Sequence, residues 1–134
     1  MDSIKIIPES GYIDIRIKYS TFFKEENGIY SVVVPAFNIC YNTTDKNMID
    51  PTNNFMLDSF FSEFESNDTI DAASMKKFIL TLHKFGFRAD ERHNLIVSNL
   101  AKGKRIEKTE LRVVQKDMDG YEKETHSKEY KAAA

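Results

Sequence analysis

Three histidines and one cysteine are the first candidates in this chain for catalysis or metal binding. His83, His93 and His126 share no metal-ligand spacing with a second Cys, His or carboxylate on one predicted face. His93 has the imidazole that a base in RNA cleavage needs, but the sequence offers it no partner. Cys40 has neither a helix N-terminus nor a flanking cation to activate its thiol. We therefore predict no catalytic residues, no metal, no cofactor and no enzymatic activity.

Charge gives a stronger signal than these side chains do. Residues 1–75 carry five Lys or Arg against twelve Asp or Glu, whereas residues 76–116 carry eleven against four. A segregated basic block of this kind is what phosphate binding requires. The same block could instead dock against an acidic partner or against the acidic half of its own chain, so the alternatives stay open.

The basic block would bind nucleic acid if its elements formed a helix–turn–helix. With helices at 70–85 and 90–102, and with 106–124 as a hairpin behind them, the arrangement would resemble a winged helix. Arg92 would then face the DNA groove, and Lys102, Lys104 and Arg105 would meet phosphates. The candidate nucleic-acid residues are Arg88, Arg92, Lys102, Lys104, Arg105, Lys108 and Arg112. A solvated basic face is the competing interpretation.

The first half of the chain predicts a strand meander. Residues 12–23 alternate apolar and polar side chains, which is typical of a strand with one buried and one wet face. Asn27-Gly28 is a strong signal for a two-residue hairpin and pairs Phe23 with Val32. Pro35 should end the second strand, and 36–41 could form a third. A shorter strand is expected at Ile4–Ile7, stopped early by Pro8.

Helices should follow the meander. Apolar residues recur at helical spacing over 53–64, with Thr52 or Asn53 as the N-cap, and over 70–85. Gly86 and Phe87 suit the C′ and C″ positions of a Schellman motif. Residues 90–102 could form a third helix, and a strand over 94–98 is the alternative.

The end of the chain is harder to interpret. Residues 106–114 predict a strand, and Asp119-Gly120 could turn it into a hairpin. The polar tail over 122–134 should be frayed, with Ala132–Ala134 a cloning remnant. A weak sub-boundary falls near 66–71. The fold class is therefore α+β, a single domain over 1–134 with an antiparallel sheet packed by two or three helices on one face.

The single cysteine, the lack of a signal-peptide pattern and the lack of a long apolar segment predict a cytoplasmic, soluble protein without membrane contact.

The stretch ENGIYSVVVPAFNIC, residues 26–40, resembles the N-terminal domain of HicB-type antitoxins. In that family an acidic-Gly turn leads to a Tyr-containing strand, a proline and a cysteine five positions later. The matching residues are Glu26, Gly28, Tyr30, Pro35 and Cys40. NNFMLDSFFSEFE then looks like the family's first helix, so the resemblance covers about residues 15–65. The family's Gly-rich segment and Glu-Ala pair before that helix are replaced by NTTDKNMIDPTN.

The resemblance implies a non-catalytic protein that binds and masks a small, basic, RNA-cleaving toxin. An acidic face with Asp14, Glu25 and Glu26 would grip such a partner. Pairing with a second copy as a homodimer is the other protein contact that we consider. The alternative function is a stand-alone DNA- or RNA-binding regulator that uses the basic block.

Overall fold

The computed structural model describes residues 1–134 and confirms the α+β class, with a six-stranded antiparallel sheet and three helices. The helices are α1 (Ile49–Ser62), α2 (Ala72–Lys84) and α3 (His93–Ala101). Short 3₁₀ turns lie at Pro35–Phe37, Lys46–Met48 and Asp90–Arg92. The strands are β1 (Asp2–Glu9), β2 (Tyr12–Glu26), β3 (Ile29–Val34), β4 (Ile39–Thr43), β5 (Thr109–Val113) and β6 (Glu122–Ala133).

The sheet is organised around β2. Along one edge β2 pairs with β6 from Tyr12 to Phe23. Residues 12–18 of β2 also pair with β1, and residues 22–26 pair with β3. Because a strand has only two edges, β1 and β3 must lie end to end along the edge opposite β6. β5 then extends the sheet beyond β1, and β4 extends it beyond β3.

Asp2 closes the gap between the ends of β1 and β3. By the register of β3, Pro35 would fall opposite Ser20, but there the chain turns away from the sheet. The Asp2 carboxylate accepts hydrogen bonds from the Ser20 backbone N–H at 3.1 Å and from its hydroxyl at 2.7 Å. Asp2 is only 2% exposed. Its side chain therefore takes the place of the missing strand carbonyl, as a buried N–H requires.

The prediction that Ile13, Ile15, Ile17 and Tyr19 share a buried face is confirmed, but the opposite face is not wet throughout, since Asp14, Ser20 and Phe22 are buried as well. The hairpin register is confirmed as well, since Phe23 lies opposite Val32. Asn27 and Gly28 have φ angles of 54° and 79°, the positive values that a type I′ turn needs.

The end of α2 is the Schellman motif that the sequence predicts. Gly86 has a φ of 101°, and the Phe87 N–H donates to the Leu82 carbonyl at 3.0 Å. Phe87 is fully buried beside the aromatic cluster between sheet and helices. Residues 93–101 are helical, which decides against a strand over 94–98.

Two element boundaries differ from the prediction. Helix α1 begins at Ile49 rather than near residue 53, because the 3₁₀ turn capped by Asp45 runs directly into it. Pro51 is tolerated there, since the first helical turn needs no N–H donors. Strand β1 continues through Pro8 to Glu9. The last β1–β5 pair is Ile6 with Thr109, so at Pro8 the side of β1 toward β5 faces no strand and needs no N–H donor.

The expected frayed tail is wrong, because residues 122–133 form β6 and pair along β2. Ala132 is 4% exposed, and the Ala133 carbonyl accepts from the Ile70 N–H at 2.8 Å. Lys and Glu side chains dominate β6 because it is an edge strand, where charges discourage unwanted pairing. Ile70 belongs to the same buried cluster as the helices on either side of 66–71.

The expected hairpin over 106–124 is also wrong. β5 pairs with β1 and β6 pairs with β2, so the two strands lie in different parts of the sheet. The turn at Asp119-Gly120 connects them without making them neighbours. The wing of a winged helix is therefore not formed.

Replacing Asp2 with Ala should lower the free energy of unfolding by about 1–3 kcal/mol, because the buried Ser20 N–H loses its acceptor. Urea denaturation measures this, with Ser20→Ala as the matched variant that removes only the hydroxyl. An Asp2→Ala variant no less stable than Ser20→Ala would contradict the bridging role.

Deleting Ala132–Ala134 should also destabilise the fold by about 1–3 kcal/mol, because Ile70 loses the acceptor for its buried N–H. Deleting Ala134 alone is the control and should change stability by less than about 0.5 kcal/mol. Thermal melting of both truncations is the measurement. Equal melting temperatures for the full chain and the three-residue deletion would show that this end of β6 is dispensable.

Candidate partner-binding groove

Strand β4 and helix α1 border a groove of about 390 Å³. β4 pairs only with β3, so its outer edge has unpaired backbone groups. Helix α1 turns Leu57 and Phe61 into the core and leaves a second stripe of side chains toward β4. The groove is lined by Asn38, Ile39, Cys40, Phe55, Met56, Ser59, Phe60 and Glu63.

Phe55 is the conspicuous side chain of this groove, because it is 72% exposed to solvent. Met56 and Phe60, which also line the groove, are half-buried. Apolar groups gathered in one concave place, and not scattered singly, are typical of interaction surfaces.

Carboxylates are frequent around α1, but Asp50, Asp58 and Glu65 contact β6, on the opposite side of the sheet from β4. Residues 47–75 contain six Asp or Glu and no Lys or Arg. Asp58 pairs with Lys128 at 2.8 Å, and Glu65 accepts from the Tyr130 hydroxyl at 2.6 Å. Glu63, which lines the groove, takes part in no ion pair. Its carboxylate is therefore available to a partner.

A buried polar network fixes α1 against the sheet and so fixes the groove. The Tyr41 hydroxyl on β4 lies 2.7 Å from Asn53 Oδ1, and Asn53 Nδ2 donates to Thr21 Oγ1 at 3.1 Å. Burial raises the pKa of Tyr41 to about 12, so its hydroxyl remains a donor at neutral pH. β2, β4 and α1 are thereby held together at one point.

The three carboxylates expected to form one acidic face are not brought together. Asp14 is 3% exposed and accepts from Arg16 Nε at 3.0 Å. Glu25 accepts from the Gly28 N–H, and Glu26 pairs with Lys24. Asp14 and Glu25 lie about 36 Å apart on β2, at 3.3 Å per residue, and point to opposite faces. Around α1, where residues 47–75 contain no Lys or Arg, Glu63 is the carboxylate that lines the groove.

The basic block does not form one surface either. Arg92 pairs with Glu107 at 3.2 Å, and Arg112 pairs with Glu110 at 3.0 Å. Arg88 contacts the His83 ring, and its backbone pairs with that of Arg112 beside β5. The remaining four candidate nucleic-acid residues are exposed in the segment between α3 and β5: Lys102, Lys104, Arg105 and Lys108.

Helix α3 lacks the features of a recognition helix. Residues 93–101 contain no Lys or Arg, and His93 at the start of α3 is only 6% exposed. Arg92, expected to face a DNA groove, is paired with Glu107. Together with the missing wing, this arrangement corrects the winged-helix expectation.

The histidines lie in two places. The rings of His83 and His93 are 4.6 Å apart, and the charged group at this pair is the Arg88 guanidinium. The His126 side chain on β6 is 12% exposed and lies 3.0 Å from Glu124 of the same strand. It also lies 3.3 Å from Asp50, and this contact joins β6 to α1. No group of three or more His, Cys, Asp or Glu side chains is placed to hold a metal ion.

Stability should fall as the pH drops through about 6.5, the ordinary pKa of histidine, because the unfolded chain then binds a proton that folded His93 resists. Burial, and secondarily the charge of Arg88, lower the pKa of His93 in the fold. A His93→Gln variant, compared with wild type in urea unfolding at pH 7.5 and 5.5, should lose less stability over this interval. An identical loss in both proteins would contradict this assignment.

None of the helices combines the length and the apolar character needed to cross a membrane. Comparisons with protein-family models, with curated proteins and with solved structures found no match for this chain. The resemblance to HicB-type antitoxins therefore stays a prediction.

Proposed function

We propose that this chain is a non-catalytic binding module with an antitoxin-like function. It binds and masks a small basic protein in the groove between β4 and α1. The observation that supports this proposal most directly is the unpaired edge of β4 beside the exposed Phe55.

The groove offers two kinds of contact to one partner. An extended segment can add to the free edge of β4, where backbone hydrogen bonds supply affinity. Alternate side chains of that segment would then reach Phe55, Met56 and Phe60. An aromatic side chain at the centre of such a contact, surrounded by polar groups, is a typical hot spot.

Charge favours a basic partner at this place. Glu63 lies in the groove itself, and no Lys or Arg lines the groove. Complementary charge speeds encounter and disfavours acidic competitors more than it adds affinity. A small protein rich in Lys and Arg, as RNA-cleaving toxins are, meets this requirement.

The HicB-like residues support the same surface. Gly28 forms the turn before β3, Pro35 ends β3, and Cys40 lies on β4. Together they build the strand pair whose outer edge borders the groove. If the resemblance holds, the partner is the small basic toxin of that family.

Phe55→Ala should weaken binding to a small basic protein recovered by pull-down with this chain by at least about tenfold, or about 1.4 kcal/mol. Titration calorimetry with that purified protein is the measurement. Leu95→Ala is the matched control, because Leu95 is 52% exposed on α3 and is not among the residues that line the groove. Amides of residues 39–43 should also gain protection from hydrogen exchange in the complex.

Equal loss for Phe55→Ala and Leu95→Ala would remove the groove from the proposal. A pull-down that recovers no small basic protein would remove the antitoxin-like function. A complex of two copies of this chain, weakened by Phe55→Ala, would replace the toxin with a homodimer.

A further inference from the structure

The face of the sheet opposite the helices is open to solvent at Lys5, Arg16 and Lys18, although Phe22 farther along β2 is only 1% exposed. A groove of about 620 Å³ crosses this uncovered face where β5, β1, β2 and β6 run side by side. At the strand positions that point away from the core, every side chain that lines this groove is polar or charged. They include Ser3, Lys5, Arg16, Lys18, Arg112 and Ser127.

Cations outnumber carboxylates on this uncovered face. Register and strand alternation place seven Lys or Arg side chains there: Lys5, Arg16, Lys18, Lys24, Arg112, Lys123 and Lys131. Five carboxylates share the face: Glu9, Asp14, Glu26, Glu110 and Glu129. Lys108, just before β5, borders the same face beside Lys5 and Arg16.

One line of residues across four strands contains no carboxylate. Arg112, Ser3, Lys18 and Ser127 lie opposite one another in register, and we name them the anion row. Two cations therefore alternate with two hydroxyls. Such donors are the groups that hold a phosphate.

Lys18 is the cation of the anion row that is free of ion pairs within the chain, whereas Arg112 is already paired with Glu110. No ion pair involves Lys18, or Lys5 in the neighbouring line of residues. Arg112 is shared with Glu110 and lies 4.0 Å from Asp90. The hydroxyls of Ser3 and Ser127 are exposed at the groove and can turn toward a bound anion.

Two tyrosines mark the ends of the uncovered face. Tyr12 begins β2, is 37% exposed and has Lys131 Nζ 5.6 Å from its ring centre. Tyr121 precedes β6 and has Lys24 Nζ 5.0 Å from its ring centre. Proteins that bind single strands often use this combination, in which unstacked bases stack on aromatic rings and nearby cations contact the phosphates.

We propose that the uncovered face of the sheet binds single-stranded nucleic acid, with backbone phosphates on the anion row and bases stacked on Tyr12 or Tyr121. The face presents no helix or ribbon that could enter the groove of a duplex, so the unpaired strand is the form it accommodates. This surface lies on the opposite side of the sheet from α1. It therefore does not depend on the partner proposed for the β4–α1 groove.

The test is fluorescence anisotropy with labelled 15-nucleotide poly-dT, poly-U and a duplex of the same length. The Lys5→Gln/Lys18→Gln variant should bind the single strands at least tenfold more weakly. Its slope of log affinity against log salt should be shallower by about 1.4, since each lost phosphate contact removes about 0.7 on a single strand. Tyr12→Ala should weaken binding less than this and leave the salt slope unchanged.

Lys102→Gln/Lys104→Gln is the matched control, because it removes the same charge from the exposed turn after α3. It should leave the affinity within about twofold of wild type. Circular dichroism of every variant confirms that the fold is retained. An equal loss in the control, equal affinity for the duplex, or no binding at low salt would each overturn the proposal.

Discussion

The backbone pairing of β2 is the constraint on which the rest of the structure depends. Its fifteen residues need hydrogen-bond partners on both edges, and no single neighbour supplies them all. β6 covers one edge, β1 and β3 divide the other, and the Asp2 carboxylate bridges the point where they meet. Because β1 and β3 each carry one further strand, the sheet becomes broad enough for three helices on one face.

Local signals were readable from the sequence, whereas contacts between distant segments were not. Asn27-Gly28 and the Gly86-Phe87 ending each fix backbone geometry within a few residues, and both are confirmed. β6 was missed because an edge strand of alternating Lys and Glu lacks the apolar pattern that predicts a strand. The role of Asp2 depends on Ser20, eighteen residues away, so no local pattern could indicate it.

Charge counted along the chain predicted the wrong surfaces for a related reason. Strand alternation sends neighbouring residues to opposite faces, so a run of acidic or basic letters is divided by folding. Glu25 and Glu26 are adjacent in sequence and point to opposite sides of the sheet, while Lys5 and Lys18, from the acidic half, join Arg112 from the basic half. Even around α1, where residues 47–75 contain no Lys or Arg, Asp50 and Asp58 lie against His126 and Lys128 of β6.

The place of β6 in the sheet also shapes how the protein acquires its fold. Tyr12 pairs with Ala133, and the β2–β6 contact joins segments about as far apart as this chain allows. Contacts of such long sequence separation slow folding, because a large loop must close before they form. During synthesis β2 emerges long before β6, so one edge of β2 remains unpaired until β6 is made. Misassembly or capture by a chaperone is most to be expected in that interval.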